Sequence, residues 1–174
     1  MEDGTMKKLR MLSGLCVAGM LMVTGVAGCS NETKSNANQQ ESQKERDMKE
    51  SDKAAVAYLK AYIEMDRKKL NELQYKKYDF GEDRVKNPDI SKEMKERYDL
   101  YRYDLQEGED EFYYRIKFYD PVEKAQMGLY LRMVKDKKDN KWKNYEWAWD
   151  STNSLNSIVG DVKPVHVHKW GQKE

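Results

Sequence analysis

The chain predicts an α+β fold, with amino-terminal helices packed on one face of a curved antiparallel sheet of about four strands. Two patterns within residues 51–150 lead to that expectation. Ala55, Val56, Leu59, Tyr62 and Ile63 recur at helical spacing, and after Asp99 the apolar residues change to a period of two. Only short polar turns separate the period-two segments, so successive strands pair antiparallel. The helices ahead of them need an apolar sheet face to cover.

Taken in order, Ser51 or Asp52 can cap the first helix, which the apolar stripe carries to about Met65. Asp66 falls where that stripe would continue. An aspartate suits a cap better than a core, so it opens a second, short helix through Arg67–Leu73. Tyr75–Pro88 reads as irregular, and Asp89 or Ser91 can cap a further short helix. Leu100–Leu105 is the first strand, followed by a turn at Glu107–Asp110. The second, Glu111–Tyr119, places Phe112, Tyr114, Ile116 and Phe118 on one face and Tyr113, Arg115 and Lys117 on the other. Ala125–Val134 alternates Met127, Leu129, Leu131 and Met133, and Trp142–Trp149 is a fourth strand with three tryptophans. Residues 151–174 form a carboxy-terminal extension or an extra strand.

Ahead of the domain lies a different kind of sequence. Lys7, Lys8 and Arg10 form a basic cluster, Met11–Val26 is mostly apolar, and small residues precede Cys29, the layout of a secretory signal. Glu2 and Asp3 are unusual before such a cluster, which makes Met6-Lys7-Lys8 the more natural start. Ser13, Gly14, Gly19, Thr24 and Gly25 dilute the apolar run, favouring cleavage over a membrane span of about 20 apolar residues. From Ser30 to about Glu50 the residues are polar, with no aromatic or branched apolar side chain. This reads as a flexible tether over 29–50, with an end-to-end distance of roughly 25 Å and a helical fringe near Gln43–Met48.

Val26, Ala27, Gly28 and Cys29 occupy in order the places of a lipobox, so residues 1–28 resemble a bacterial lipoprotein signal peptide. The resemblance implies cleavage between Gly28 and Cys29 and a diacylglyceryl group on the Cys29 thiol. The membrane becomes a partner, and the domain sits on the extracytoplasmic face of the cell membrane. Cys16 does not fit, because bulky Leu15 stands where a small residue is needed.

The segment from about Lys53 to Trp149 resembles the nuclear-transport-factor-like, or cystatin-like, superfamily. That likeness rests on the first helix Ala54–Tyr62, on Asp66 opening a second helix, and on the Asp139–Lys143 hairpin that leads the last strand. It implies a cone that either encloses a pocket for a small apolar ligand or is filled and serves as an interaction platform.

Composition narrows the function classes. The chain of 174 residues has 32 basic and 31 acidic side chains, and without Lys7, Lys8, Arg10, Glu2 and Asp3 the part from Cys29 onward is neutral. A neutral domain lacks the electrostatic footprint of a nucleic-acid binder. The clusters Arg67–Lys69 and Lys135–Lys141 read as solvated faces. Cys16 and Cys29 are the only cysteines, so the mature domain has neither a disulfide framework nor a thiolate zinc site. His166 and His168 would share one face of an extended segment, which begins a metal site without a third ligand; a solvent-facing edge strand outweighs it. No phosphate loop, nucleophile elbow or nucleophilic cysteine is present, so no catalytic residue, metal or cofactor is assigned. The sequence supports a binding or interaction module for an envelope protein, peptide or small ligand. A small cone-fold enzyme acting on an apolar ligand and an inhibitor or immunity-type protein are the alternatives.

Overall fold

The computed structural model describes residues 42–79, 85–105, 110–145 and 154–173. Gly28 and Cys29 lie outside the described residues, as do Glu146–Trp149, the end of the expected fourth strand.

Helix α1 spans Gln43–Ile63, beginning well inside the stretch read as tether. Ser42 starts it. Its hydroxyl accepts from the Glu45 backbone N–H, and the Glu45 carboxylate accepts from the Ser42 N–H, a reciprocal box that satisfies two otherwise orphaned donors. Ser51 and Asp52 are therefore interior helical residues, not caps. The inner face of α1 buries Ala55, Tyr58, Leu59 and Ile63, and each fully buried Leu or Ile contributes about 1.5–3 kcal/mol.

Helix α2, Arg67–Glu72, is capped by Asp66, whose carboxylate accepts from the Lys69 N–H at 3.0 Å. The next helical element is only a 3-10 turn, Ile90–Glu93. Asp89 precedes it in a left-handed conformation with no side-chain cap, because at φ 67° its carboxylate does not reach the next turn.

Five strands follow the order β4-β3-β2-β1-β5 in one antiparallel sheet: β1 Tyr98–Tyr103, β2 Glu111–Asp120, β3 Ala125–Asp136, β4 Lys141–Asn144 and β5 Val165–His168. The first four form the expected meander, and the carboxy-terminal extension returns as a fifth strand beside β1. One face meets α1 with Leu100, Phe112, Tyr114, Ile116, Phe118, Leu131, Met133 and Trp142, all buried. Met127, in the same alternation, is 39% exposed. On the opposite face a short helix, α3 (Leu155–Val159), seats Leu155 and Val159 on Tyr103 and Tyr113. Helices thus cover parts of both faces, not one.

Candidate functional site

Under α1 lies a buried polar cluster drawn from one helix and two strands. Ser51 and Tyr114 are fully buried, and the Tyr114 hydroxyl lies 2.9 Å from both the Ser51 Oγ and the Asp52 Oδ1. With a single proton, that hydroxyl donates to the carboxylate and accepts from the serine. Arg102 of β1 donates from Nη1 to Asp52 Oδ2 at 2.6 Å and from Nε to Asp104 Oδ1 at 2.5 Å. The helix and sheet are therefore joined here by charge-assisted hydrogen bonds, as they are again where Asp47 of α1 meets Lys135 of β3.

Burial pushes the Asp52 carboxyl above its ordinary range, even with the Arg102 guanidinium attracting its charge. Tyr114 is held well above the usual phenol value, by burial first and by the Asp52 charge second. For Arg102 burial acts against the cation, but hydrogen bonds to Asp104 and the Asp52 charge outweigh it and raise its pKa.

Beside this cluster runs a groove of about 380 Å³, between α1 and the edge formed by β1 and β5. Val56 and Ala57 from the helix, Leu100 from β1 and Val167 from β5 make its apolar walls, and Asp52 closes one end. Lys53 and Lys60 line the helix side, two turns apart, or about 10.5 Å along the axis. Neither has an ion-pair partner among the described residues. A larger hollow of about 780 Å³ around α2 is lined chiefly by Asp66, Arg67, Lys68, Lys69, Glu72 and Lys86. That hollow is walled more by polar than by apolar surface, whereas the smaller groove is mainly apolar, so the smaller groove is the better candidate.

The two histidines do not share a face. Across β1 and β5 the register slips, so His166 lies opposite Tyr101 while His168 lies opposite the adjacent Leu100. Neighbouring residues of a strand point to opposite faces, and the bulge sends the histidines apart accordingly. His166 stacks on Tyr101 with ring centroids 4.3 Å apart, its Nε2 2.8 Å from Asp99. His168 is buried and stacks on Tyr98 at 3.8 Å. Its Nδ1 faces the Tyr98 carbonyl at 3.0 Å, and its Nε2 faces the Gln172 carbonyl at 2.9 Å and the Glu96 carboxylate at 3.2 Å. The shared face expected of the pair is not found; the expected edge strand is, since β5 ends the sheet, with His166 half-buried and His168 buried. Among the described residues no group of three or more His, Cys, Asp or Glu side chains is placed to hold a metal ion.

The sequence signal for the buried cluster was present but ambiguous. Ser51 and Asp52 have the chemistry of helix caps, and Arg102 and Asp104 look like ordinary surface charges within the first strand. Only the pairing of β1 with β2 and the seating of α1 bring them to Tyr114.

No protein family, curated protein or solved structure matches the chain. Among the described residues no helix is long and apolar enough to cross a membrane.

Proposed function

We propose that this protein is an extracytoplasmic lipoprotein, cleaved before Cys29 and held at the cell membrane by a diacylglyceryl group on that thiol. Its α+β domain works as a binding module, with the groove between α1, β1 and β5 taking a small amphipathic anion. The anchor rests on Val26-Ala27-Gly28-Cys29 following a basic cluster and an apolar run. Two acyl chains on one residue provide the doubled anchoring that stable attachment needs.

The observation that carries the binding half is the groove itself: apolar walls flanked by two lysines without carboxylate partners among the described residues. Its volume lies at the lower end of the roughly 300–1,000 Å³ range of ligand pockets, which suits a single short chain or ring system. The test uses anilinonaphthalene sulfonate, an amphipathic anion that fluoresces when desolvated. Saturable enhancement with the protein, weakened about tenfold in the Lys53→Glu, Lys60→Glu double variant, is the expected result. Equal binding by that variant refutes the assignment. The anchor is tested separately, since Cys29→Ala should move the chain out of the membrane-attached, processed form.

A second reading, a cone-fold enzyme, is favoured by one observation: Asp52 lines the groove with its pKa raised by burial. Against it, both oxygens of that carboxylate are taken by Arg102 and Tyr114. That arrangement suits a seam between helix and sheet better than a base awaiting a substrate.

A further inference from the structure

On the sheet face away from α1, the part not covered by α3 carries more cations than acids among the described residues. Its residues fall in cross-strand rows. Tyr101, Arg115 and Tyr130 form one, Asp99, Lys117 and Gly128 the next, and Tyr119 beside Arg97 a third. Arg115 lies over the Tyr101 ring at 5.0 Å and Arg97 over Tyr119 at 3.6 Å. Gly128 leaves a dip beside Lys117, where an added Cβ would meet nothing nearer than 3.9 Å.

The arginines of this sheet differ in how they are held. Arg102 and Arg132 are each bonded to carboxylates, Asp52 and Asp104 for one and Glu111 for the other. Among the described residues Arg97, Arg115 and Lys117 have no carboxylate partner; Arg97 donates only to the Met94 and Glu93 carbonyls. The Nε of Arg115 is cut off from water and makes no hydrogen bond. Asp99, the carboxylate within these rows, meets both His166 Nε2 and the Trp170 backbone N–H through its Oδ1, the latter at 3.0 Å. In the β2–β3 turn at one end, Glu123 and Lys124 offset each other.

We propose that this face docks an acidic protein surface, with a carboxylate of the partner received by Arg115 between Tyr101 and Tyr130. Tyrosine, tryptophan and arginine are the side chains enriched at the energetic centres of protein interfaces, and Tyr130 and Trp170 are 45% and 41% exposed at the margins of the patch. Charge complementarity fixes the sign of the partner, and an arginine favours a bidentate carboxylate. Rocking the Arg115 guanidinium from the Tyr101 ring onto that carboxylate satisfies a donor that the free protein leaves unmet. Three cations on a domain that is neutral overall are too few for a nucleic acid, whose binding draws on many phosphate contacts. Three strands wide and five residues long, the patch measures roughly 14 by 17 Å. That is under half of the about 800 Å² per partner of a standard interface, so the complex is transient and salt-sensitive. This surface lies apart from the groove and does not depend on its ligand.

A transient complex calls for covalent trapping in place. A photoreactive benzoylphenylalanine at Tyr130 of the full chain, irradiated in intact cells, should give a discrete adduct with a second protein. Arg115→Glu and Lys117→Glu, the latter at an exposed position, should each lower the adduct about tenfold with the melting temperature retained, and a Glu→Arg or Asp→Arg change at the crosslinked site of the partner should restore it against Arg115→Glu. Failure of an adduct to form, an adduct indifferent to both reversals, or one with nucleic acid, glycan or a second copy of this chain overturns the proposal.

Discussion

Replacing Arg102 with methionine probes the buried cluster most sharply. The guanidinium is 8% exposed and is the cation for both Asp52 and Asp104. Methionine fills much of the same space but leaves the Asp52 carboxylate, 16% exposed, with Tyr114 alone. Breaking a buried pair by removing one partner costs about 3–5 kcal/mol, because an uncompensated charge stays inside. For a domain of this size that is a fall in Tm of roughly 12–20 °C. Guanidinium denaturation at two pH values supplies a second signature. Burial already raises the Asp52 pKa, and without Arg102 it rises further, so the folded state binds a proton more readily than the unfolded chain does. Stability of the variant then falls as pH rises from the ordinary value of 3.8 through the raised folded-state pKa, more steeply than in the wild type. The Asp52→Leu, Arg102→Met double variant should be more stable than Arg102→Met alone, since both charges are gone. A cost below about 1 kcal/mol, or a double variant as unstable as the sum of the two single changes, refutes the reasoning.

Two further outcomes follow from the helix start and from the acidic side chains. Ser42→Ala removes the cap of α1 and should cost about 1 kcal/mol, with helical circular dichroism reduced at the first turns; an unchanged Tm would place the true start of α1 near Ser51 instead. Asp66 has its pKa lowered, first by the hydrogen bond from Lys86, and Asp139 first by the one from Lys143, both from an ordinary value of 3.8. Their contribution is present above that value and is lost as pH falls through the depressed pKa, so Tm should drop between pH 4 and pH 2, and the drop should shrink in Asp66→Asn.

Much of the sheet was legible because its signal is local. Phe112, Tyr114, Ile116 and Phe118 alternate with Tyr113, Arg115 and Lys117, and a one-residue slip in pairing would turn that whole apolar face to solvent. Asp66 was legible for a similar reason, as a polar residue placed where a buried one was due. The start of α1 was harder. Ser42-x-x-Glu45 is a complete capping box, but the following turns offer only Met48 as an apolar residue, so the stretch resembles tether. The fifth strand and the separation of His166 from His168 depend on pairing with β1, some 65 residues earlier in the chain. No local pattern encodes such a bulge. The candidate groove is hidden in the same way, since Val56 and Val167 meet only after β5 has returned to the sheet.

The claim on which the functional account rests is that Cys29 becomes a lipid-bearing first residue. Mass spectrometry of the amino-terminal peptide of the membrane-attached protein tests it most directly. The account predicts a peptide beginning at Cys29 with a diacylglyceryl group on its sulfur. A peptide retaining Gly28, or one beginning elsewhere with an unmodified Cys29, would contradict it.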